Sequence, residues 1–291
     1  MTGGLVPTEA KAPAPTPGHR GPGPTRAWLA CLCALLGWLG PAAAAHAEPP
    51  LRIAAASDLR TALPRLLDAF EEGRARGARV TYGSSGKLHT QIVHGAPYDV
   101  FLSADAGLVE DLVRRGLARG DARVAVGEGR LVLWAREDAP VRPAAGLAGL
   151  LAVSGARLAI AHPDHAPYGR AAREALRHAR AWDGLQGKLV RAENVAQAAQ
   201  LAATGAVAAA LIARPLLLEP GLASGRSWQV PPGWHLPLRQ EAVALQRSRS
   251  PVARALIAFL ACARGQAICQ AAGLAPPTLA PGRGMMPGGI R

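Results

Sequence analysis

The sequence predicts an α/β protein with two lobes, each built on a mainly parallel sheet flanked by helices. Short apolar segments of strand length alternate with segments in which apolar residues recur every three or four positions, as on the buried face of a helix. This alternation runs through the first half of the chain and begins again after residue 130. Loops of small and polar residues follow the strands and precede the helices, where α/β proteins place their binding sites.

The first 47 residues have the pattern of a secretory signal peptide. Basic residues, the last of them Arg26, precede a short apolar run from Ala27 to Gly40, and a segment of small residues ends at Ala45-His46-Ala47. Basic region, apolar core and A-x-A site in this order are typical of export signals. We therefore expect cleavage after about Ala47 and a periplasmic product.

The first lobe is predicted to comprise residues 48–130 and 239–275. Its expected strands and helices alternate, and the chain returns to it after completing the second lobe. The predicted strands are Leu51–Ala56, Arg79–Tyr82, Val100–Ser103 and Ala242–Leu245, and a final long helix is predicted over Pro251–Ala272.

The second lobe is predicted to comprise residues 131–238. A disordered tail is predicted over 276–291, after the last segment of the first lobe. The expected strands are Leu131–Ala135, Leu158–Ala161 and Val207–Ile212, and the expected helices are Arg170–His178 and Gln197–Ala203. Two crossings between lobes, near Gly129–Leu131 and Leu238–Glu241, predict a ligand cleft between them.

The positive charge does not predict nucleic-acid binding. The formal net charge is +13, but only three of the 33 basic residues are lysines, and the arginines are scattered between apolar positions. Nucleic-acid sites concentrate basic residues in one patch and interleave aromatic residues that stack on bases. We interpret the arginines as solvated faces and expect no nucleic-acid partner.

The cysteines and histidines do not predict a metal-cation site or a cofactor. Cys262 and Cys269 remain after export and would lie about 10.5 Å apart along one continuous helix, too far for a disulfide. We expect two buried thiols. His162 and His165 have H-x-x-H spacing without a third ligand, so we expect them in a solvated loop.

Ser57 and Ser85 are the residues best suited to bind a small oxyanion. Each follows a predicted strand and precedes a predicted helix, so each offers a hydroxyl and a backbone N–H near the positive end of a helix dipole. The glycines beside Ser85 allow close approach of the backbone. The alternative is that each serine caps its own helix and binds nothing.

Four motifs in register carry a resemblance to the periplasmic molybdate-binding protein family. They are AAASDL from Ala54, GSSGKLHTQI from Gly83, GAPYDVFLSAD from Gly95 and HPDHAPYG from His162. The resemblance extends over roughly Leu51–Leu274 and implies the two-lobed periplasmic-binding-protein fold. It also implies that the oxyanion is held by the hydroxyls of Ser57 and Ser85 and the backbone N–H groups of Tyr168 and Val195, with the amide of Asp58 as an additional donor.

The function implied by this resemblance is capture of molybdate or tungstate and delivery to a membrane ABC permease driven by a separate ATPase. The chain itself has no G-x-x-x-x-G-K-[ST] motif for binding ATP phosphates. We expect a monomeric transport protein and not an enzyme.

Two residues depart from the family pattern. Ala213 stands where some members have a ligand-binding tyrosine, which removes one donor. Asp58 introduces a carboxylate that would repel a dianion in a poorly solvated cleft. We therefore predict that the Asp58 side chain points away from the cleft as a helix N-cap.

Other ligands and another class of protein remain as alternatives. A carboxylate facing the cleft would favour phosphate, which retains a proton to donate, while sulfate shares the charge and shape of molybdate and differs in size. A secreted serine hydrolase is less consistent with the sequence, because Gly83-Ser84-Ser85-Gly86 lacks the G-x-S-x-G spacing of a nucleophile elbow.

Overall fold

A computed structural model of the chain describes residues 50–71 and 77–278. The predicted signal peptide over 1–47 lies outside the described residues, as do residues 279–291 of the predicted tail. The first tail residues are described, and the Thr278 hydroxyl donates to Glu128 Oε2 at 3.0 Å.

Ten strands in two five-stranded sheets form the framework of the described residues. The strands are β1 (Arg52–Ala56), β2 (Arg79–Gly83), β3 (Val100–Ser103), β4 (Ala118–Gly129), β5 (Leu131–Ala135), β6 (Leu158–Ala161), β7 (Leu189–Ala192), β8 (Ala209–Ala213), β9 (Arg226–Gln229) and β10 (Leu238–Leu245). The first sheet has the order β2-β1-β3-β10-β4, and the second has the order β7-β6-β8-β5-β9.

Each sheet combines a parallel part with an antiparallel part. In the first, β1 pairs in parallel with β2 and β3, while β10 runs antiparallel to β3 and β4. In the second, β6 pairs in parallel with β7 and β8, while β5 runs antiparallel to β8 and β9. The predicted two-lobed α/β fold is confirmed, and the parallel part of each sheet carries the predicted binding loops at its carboxyl end.

Nine α-helices of the described residues flank the sheets. They are α1 (Ala62–Glu71), α2 (Ser85–Val93), α3 (Ala106–Arg114), α4 (Pro167–His178), α5 (Trp182–Leu185), α6 (Val195–Ala203), α7 (Pro220–Ala223), α8 (Pro251–Ala261) and α9 (Ala263–Ala271). Local sequence defines several starts: Asp105 caps α3, Asn194 caps α6, and proline occupies the first position of α4 and α8.

Apolar strands form the centre of the core in each lobe. In the first lobe, Ile53 and Leu102 are buried together with the apolar face of α1, including Leu63. In the second lobe, Leu133 and Ile160 are buried against alanine-rich helices, which include Ala172 of α4. Small residues on the helices let them lie close to the sheet, and this close packing fixes the loops at the strand ends.

The chain passes between the sheets twice, and the two passages run side by side. The first passage is Arg130, between β4 and β5, and the second lies between β9 and β10. Leu238 of β10 pairs with Gly129 of β4, and the Val230 amide donates to the Leu131 carbonyl at 3.0 Å. The residue boundaries assigned to the lobes remain predictions.

The prediction of one long helix over Pro251–Ala272 is wrong. The chain breaks at Cys262, whose ψ of 162° is extended, and α8 and α9 meet at 70°. Cys262 caps α9, with its sulfur accepting from the Gly265 amide at 3.5 Å. Both thiols are free; Cys269 is buried as expected, but Cys262 is exposed.

Among the described residues, no single helix is long and apolar enough to cross a membrane; α8 and α9 meet the length and composition criteria only as this bent pair.

Candidate oxyanion site

Loops from both lobes converge on one small cavity, and all the predicted ligand residues line it. Ser57, Asp58 and Ser85 come from the first lobe, and Tyr168 and Val195 from the second. The cavity has a volume of only about 10 Å³. This is about the volume that one water needs. The lobes therefore lie closed over the cavity.

The Ser57 hydroxyl does not cap the short helical turn that it begins. Ala56 occupies the cap position, and within the described chain no side-chain cap bond is made there. Instead, Ser57 Oγ accepts from the Ala196 amide of α6 at 3.4 Å. Because a hydroxyl has one donor and two acceptor sites, this contact leaves the Ser57 proton free to be donated to a ligand.

Ser85 is oriented in the same way by a different amide. Its Oγ accepts from the Ala104 amide, which follows β3, at 3.0 Å. Ser84 holds the N-cap position of α2, but it makes no capping bond within the described structure and contacts His165 Nδ1 at 3.0 Å. The alternative that Ser57 and Ser85 cap their own helices is therefore wrong. The hydroxyl proton of Ser85 remains free to be donated to a ligand.

Tyr168 and Val195 place backbone amides at the starts of two further helices. Tyr168 is the second residue of α4, and Val195 is the first residue of α6. Amides in these positions have no carbonyl partner within the helix, and the helix dipole adds partial positive charge. With the amides of α2 near Ser85, three helices begin around the cavity, an arrangement suited to an anion.

Direct contacts join the lobes at the rim of the cavity. The Gly86 amide donates to the His165 carbonyl at 3.0 Å, and the Lys87 ammonium lies 3.2 Å from Glu193. A Cβ at Gly86 would overlap with the His165 carbonyl oxygen. Glycine is therefore required here for the two backbones to approach.

Asp58 forms a buried hydrogen-bonded group between the lobes. Its side chain is 1% exposed, and Oδ2 accepts from the Tyr168 hydroxyl at 3.2 Å and from the Gln240 amide. Burial raises the pKa of Asp58 from 3.8 to about 6, although hydrogen bonds from Gln240, Tyr168 and its own backbone lower it. Burial and the nearby carboxylate also raise the pKa of Tyr168 well above 10.0, so its hydroxyl stays protonated and donates.

The prediction that Asp58 is an N-cap pointing away from the cleft is wrong. Ala56 is the cap, and Asp58 lines the cavity. Asp58 cannot act as the cap because it is the second residue of the helical turn that begins at Ser57.

His162 and His165 pack against each other and are half-buried, whereas a solvated loop was expected. Their rings stack with centroids 4.7 Å apart, and burial lowers the pKa of His165 with contributions from His162 and Lys87. No group of three or more metal-ligating side chains occurs among the described residues. Ala213, the position predicted to lack a tyrosine donor, is the buried last residue of β8.

Gln240 is the site residue that the sequence did not reveal. It is 1% exposed on β10 and donates to Asp58 from a part of the chain distant in sequence. The signal in the sequence LRQEAVAL is a polar residue two positions before an apolar run, and that run is buried in the structure from Ala242 to Leu245. Gln240 is connected to the cavity through its contacts with Asp58 and the Tyr168 hydroxyl.

Comparisons with known proteins identify the family of the chain. The family model described as bacterial extracellular solute-binding protein matches residues 51–275. The chain belongs to this family. The role that defines this family is the binding of solutes.

Three known proteins illustrate what this solute-binding protein is similar to. The molybdate-binding protein ModA of Rhodobacter capsulatus is 32% identical over 81% of this chain and 90% of its own length. The solved periplasmic molybdate-binding protein of Azotobacter vinelandii is 30% identical and superposes with a TM-score of 0.71 over 78% of this chain and all of that one. The sulfate-binding protein SubI of Mycobacterium tuberculosis has a TM-score of 0.65 at 14% identity, covering 79% of this chain and 87% of its own, and shows the fold alone.

Proposed function

We propose that this protein captures a tetrahedral oxyanion, molybdate or tungstate, in the periplasm and delivers it to an ABC permease. The observation that carries the proposal is the orientation of Ser57 and Ser85. Each hydroxyl accepts from a backbone amide, at 3.4 and 3.0 Å, and keeps its proton for a ligand. Two such donors together with helix-terminal amides suit an ion that offers only acceptors.

The ligand set consists of the Ser57 and Ser85 hydroxyls and the backbone amides of Tyr168 and Val195. The Asp58 amide is proposed as an additional donor to the ion. The small cavity implies that the lobes separate slightly around a four-oxygen ion and then close on it.

Relatives that are named for molybdate binding support this choice of ligand. The permease and its ATPase are proposed from the role of the family, and the closed form would be the one that docks on them. The monomeric state, the cleavage site after about Ala47 and the lobe boundaries belong to the same proposal.

Phosphate is the second candidate, and a specific observation favours it. Asp58 lines the cavity, and an ionised carboxylate there would accept the proton that phosphate retains near neutral pH. Molybdate, tungstate and sulfate offer no such proton. The charge state of Asp58 therefore separates the two candidates.

Titration calorimetry with molybdate, tungstate, sulfate and phosphate tests the proposal. We expect molybdate and tungstate to bind at least tenfold more tightly than sulfate and phosphate, and to raise the unfolding temperature by mass action. Absence of heat and of stabilisation with all four ions would contradict the proposal, whereas a preference for phosphate would establish the second candidate.

A further inference from the structure

The Asp58 carboxyl group occupies a position where its ionised form would oppose the proposed ligand. It lines the same cavity as Ser57 and Ser85 and is 1% exposed. Charges that share a buried site interact strongly because little water screens them. A dianion in this cavity therefore cannot be held beside a carboxylate without a large loss of affinity.

We propose that Asp58 carries a proton when the cavity holds a doubly charged oxyanion, so that capture of the ion takes up one proton from the solvent. The inference rests on the proposed function and deepens it, because it specifies the charge state of the ligand that the site accepts. One ion and one proton enter together, and the net charge of the occupied cavity is one unit less negative than with an ionised Asp58.

The hydrogen bonds of Asp58 leave a place for this proton. Oδ2 already accepts from Tyr168 and Gln240, whereas Oδ1 is buried and has no partner within the described residues. A proton on Oδ1 converts an unpaired acceptor into a donor. A tetrahedral oxyanion presents only acceptors to the cavity, so the protonated carboxyl group adds a donor to the ligand set.

The surrounding charges do not compensate an ionised Asp58. Tyr168 of α4 and Gln240 of β10 face the carboxyl group and are neutral. The cations on the elements around it are paired with carboxylates or lie at the surface: Arg60–Glu219 at 3.6 Å, Lys87–Glu193 at 3.2 Å, Arg130–Glu128 at 3.0 Å, Arg170–Asp105 at 2.9 Å, and Arg214, which is exposed and donates to Gln229.

The pKa of Asp58 is consistent with proton uptake. Burial raises it to about 6 in the closed structure before any dianion is added. A dianion in the cavity raises it further, because the negative charge disfavours a second one. Ion affinity and protonation are thereby linked: above about pH 6, molybdate affinity should fall about tenfold per pH unit until the pKa of the occupied state is reached.

Calorimetric titration with micromolar molybdate from pH 6.5 to 8.5, at fixed ionic strength, tests the linkage. The unmodified protein should lose up to about a hundredfold in affinity across this range. Asp58→Asn is isosteric and cannot ionise, so its molybdate affinity should change by less than about threefold across the same pH range. At pH 8.5 it should bind molybdate more tightly than the unmodified protein.

Proton uptake is measured independently of any variant by repeating the titration at pH 7.5 in buffers of different ionisation enthalpy. We expect close to one proton per bound ion for the unmodified protein and none for Asp58→Asn. His165→Gln controls for the other titrating group at the rim and should retain the proton uptake.

Two results would overturn the inference while leaving oxyanion capture intact. One is molybdate binding without proton uptake and with parallel pH profiles for both proteins. The other is preferred phosphate binding without proton uptake, which would make Asp58 an ionised acceptor. Failure of both proteins to bind any oxyanion at any pH would instead contradict the proposed function, and the inference with it.

Discussion

The amide of Gly86 donates to the carbonyl oxygen of His165 across 3.0 Å, and this bond joins the first turn of α2 to the loop before α4. The contact belongs to the closed arrangement of the lobes. It depends on the absence of a side chain at Gly86, since a Cβ would overlap with the acceptor carbonyl. Closure is therefore sensitive to one methyl group at this position.

Gly86→Ala should weaken molybdate binding roughly 5- to 150-fold, because overpacking of a tight contact costs about 1–3 kcal/mol. The first lobe itself should not be destabilised, since alanine favours a helix more than glycine does. Titration calorimetry and thermal unfolding measure the two effects. Gly221→Ala, at a position with no atoms near the added Cβ, should leave affinity unchanged; equal losses in both variants would show that closure is not responsible.

Ser57→Ala and Ser85→Ala should each reduce oxyanion affinity by about 1.5–3 kcal/mol, or roughly 10- to 150-fold, because each removes a hydrogen bond to a charged group. The measurement is the dissociation constant for molybdate. The exposed Ser154 supplies a matched control through Ser154→Ala. Unchanged affinity in both cavity variants would refute the site.

Tyr168→Phe should lower the free energy of unfolding. It retains the backbone amide that is proposed to bind the ion. It removes the hydroxyl donor to Asp58 at 3.2 Å and leaves a buried carboxyl oxygen with one partner fewer. We expect a loss of about 1–3 kcal/mol in the free energy of unfolding, measured by denaturant titration. Tyr98→Phe removes a hydroxyl whose bond to Gln91 is exposed and should cost less; equal losses would argue against the buried contact.

Asp58→Asn should stabilise the ligand-free protein at high pH but not at low pH. The folded-state pKa of Asp58 is raised from 3.8 to about 6, so the folded protein binds more protons than the unfolded chain between these values. Its stability therefore falls as pH rises from about 4 to about 6, by about 3 kcal/mol, and remains lower above that range.

The measurement is urea unfolding of both proteins at pH 4 and pH 8. At pH 8 the free energy of unfolding of the variant should exceed that of the unmodified protein by up to about 3 kcal/mol. At pH 4 the two free energies should differ little. The exposed Asp68 provides the control variant Asp68→Asn. A constant difference at both pH values would mean that ionisation of Asp58 does not affect folding.

The sequence predicted the strands whose residues are buried on both faces. Leu131–Ala135 and Leu158–Ala161 are continuous apolar runs, and the structure confirms them as β5 and β6. It did not predict β4, because Ala118–Gly129 contains charged residues and glycines and becomes a strand by pairing with the distant β10. The 70° bend at Cys262 was likewise not predicted, because the apolar spacing continues through it.

The site residues were predictable where a loop between a strand and a helix itself contains the hydrogen-bond donors. Ser57 and Ser85 were predicted from their position between strand and helix, and the structure places both at the cavity. The contact of Asp58 with Tyr168 and Gln240 was not predictable, since it joins residues from three separate parts of the chain. Local propensity favoured Asp58 as a helix cap, and burial between the lobes determined otherwise.

The position of β10 between β3 and β4 has a consequence for the order of folding. A chain that crosses the membrane amino terminus first can pair β1, β2 and β3 early, but β4 must wait for a strand that follows the whole second sheet. Contacts between such distant segments are slow to form because a long loop must first be closed. A nascent chain that stalls before Leu238 would therefore expose two unpaired strand edges to neighbouring molecules.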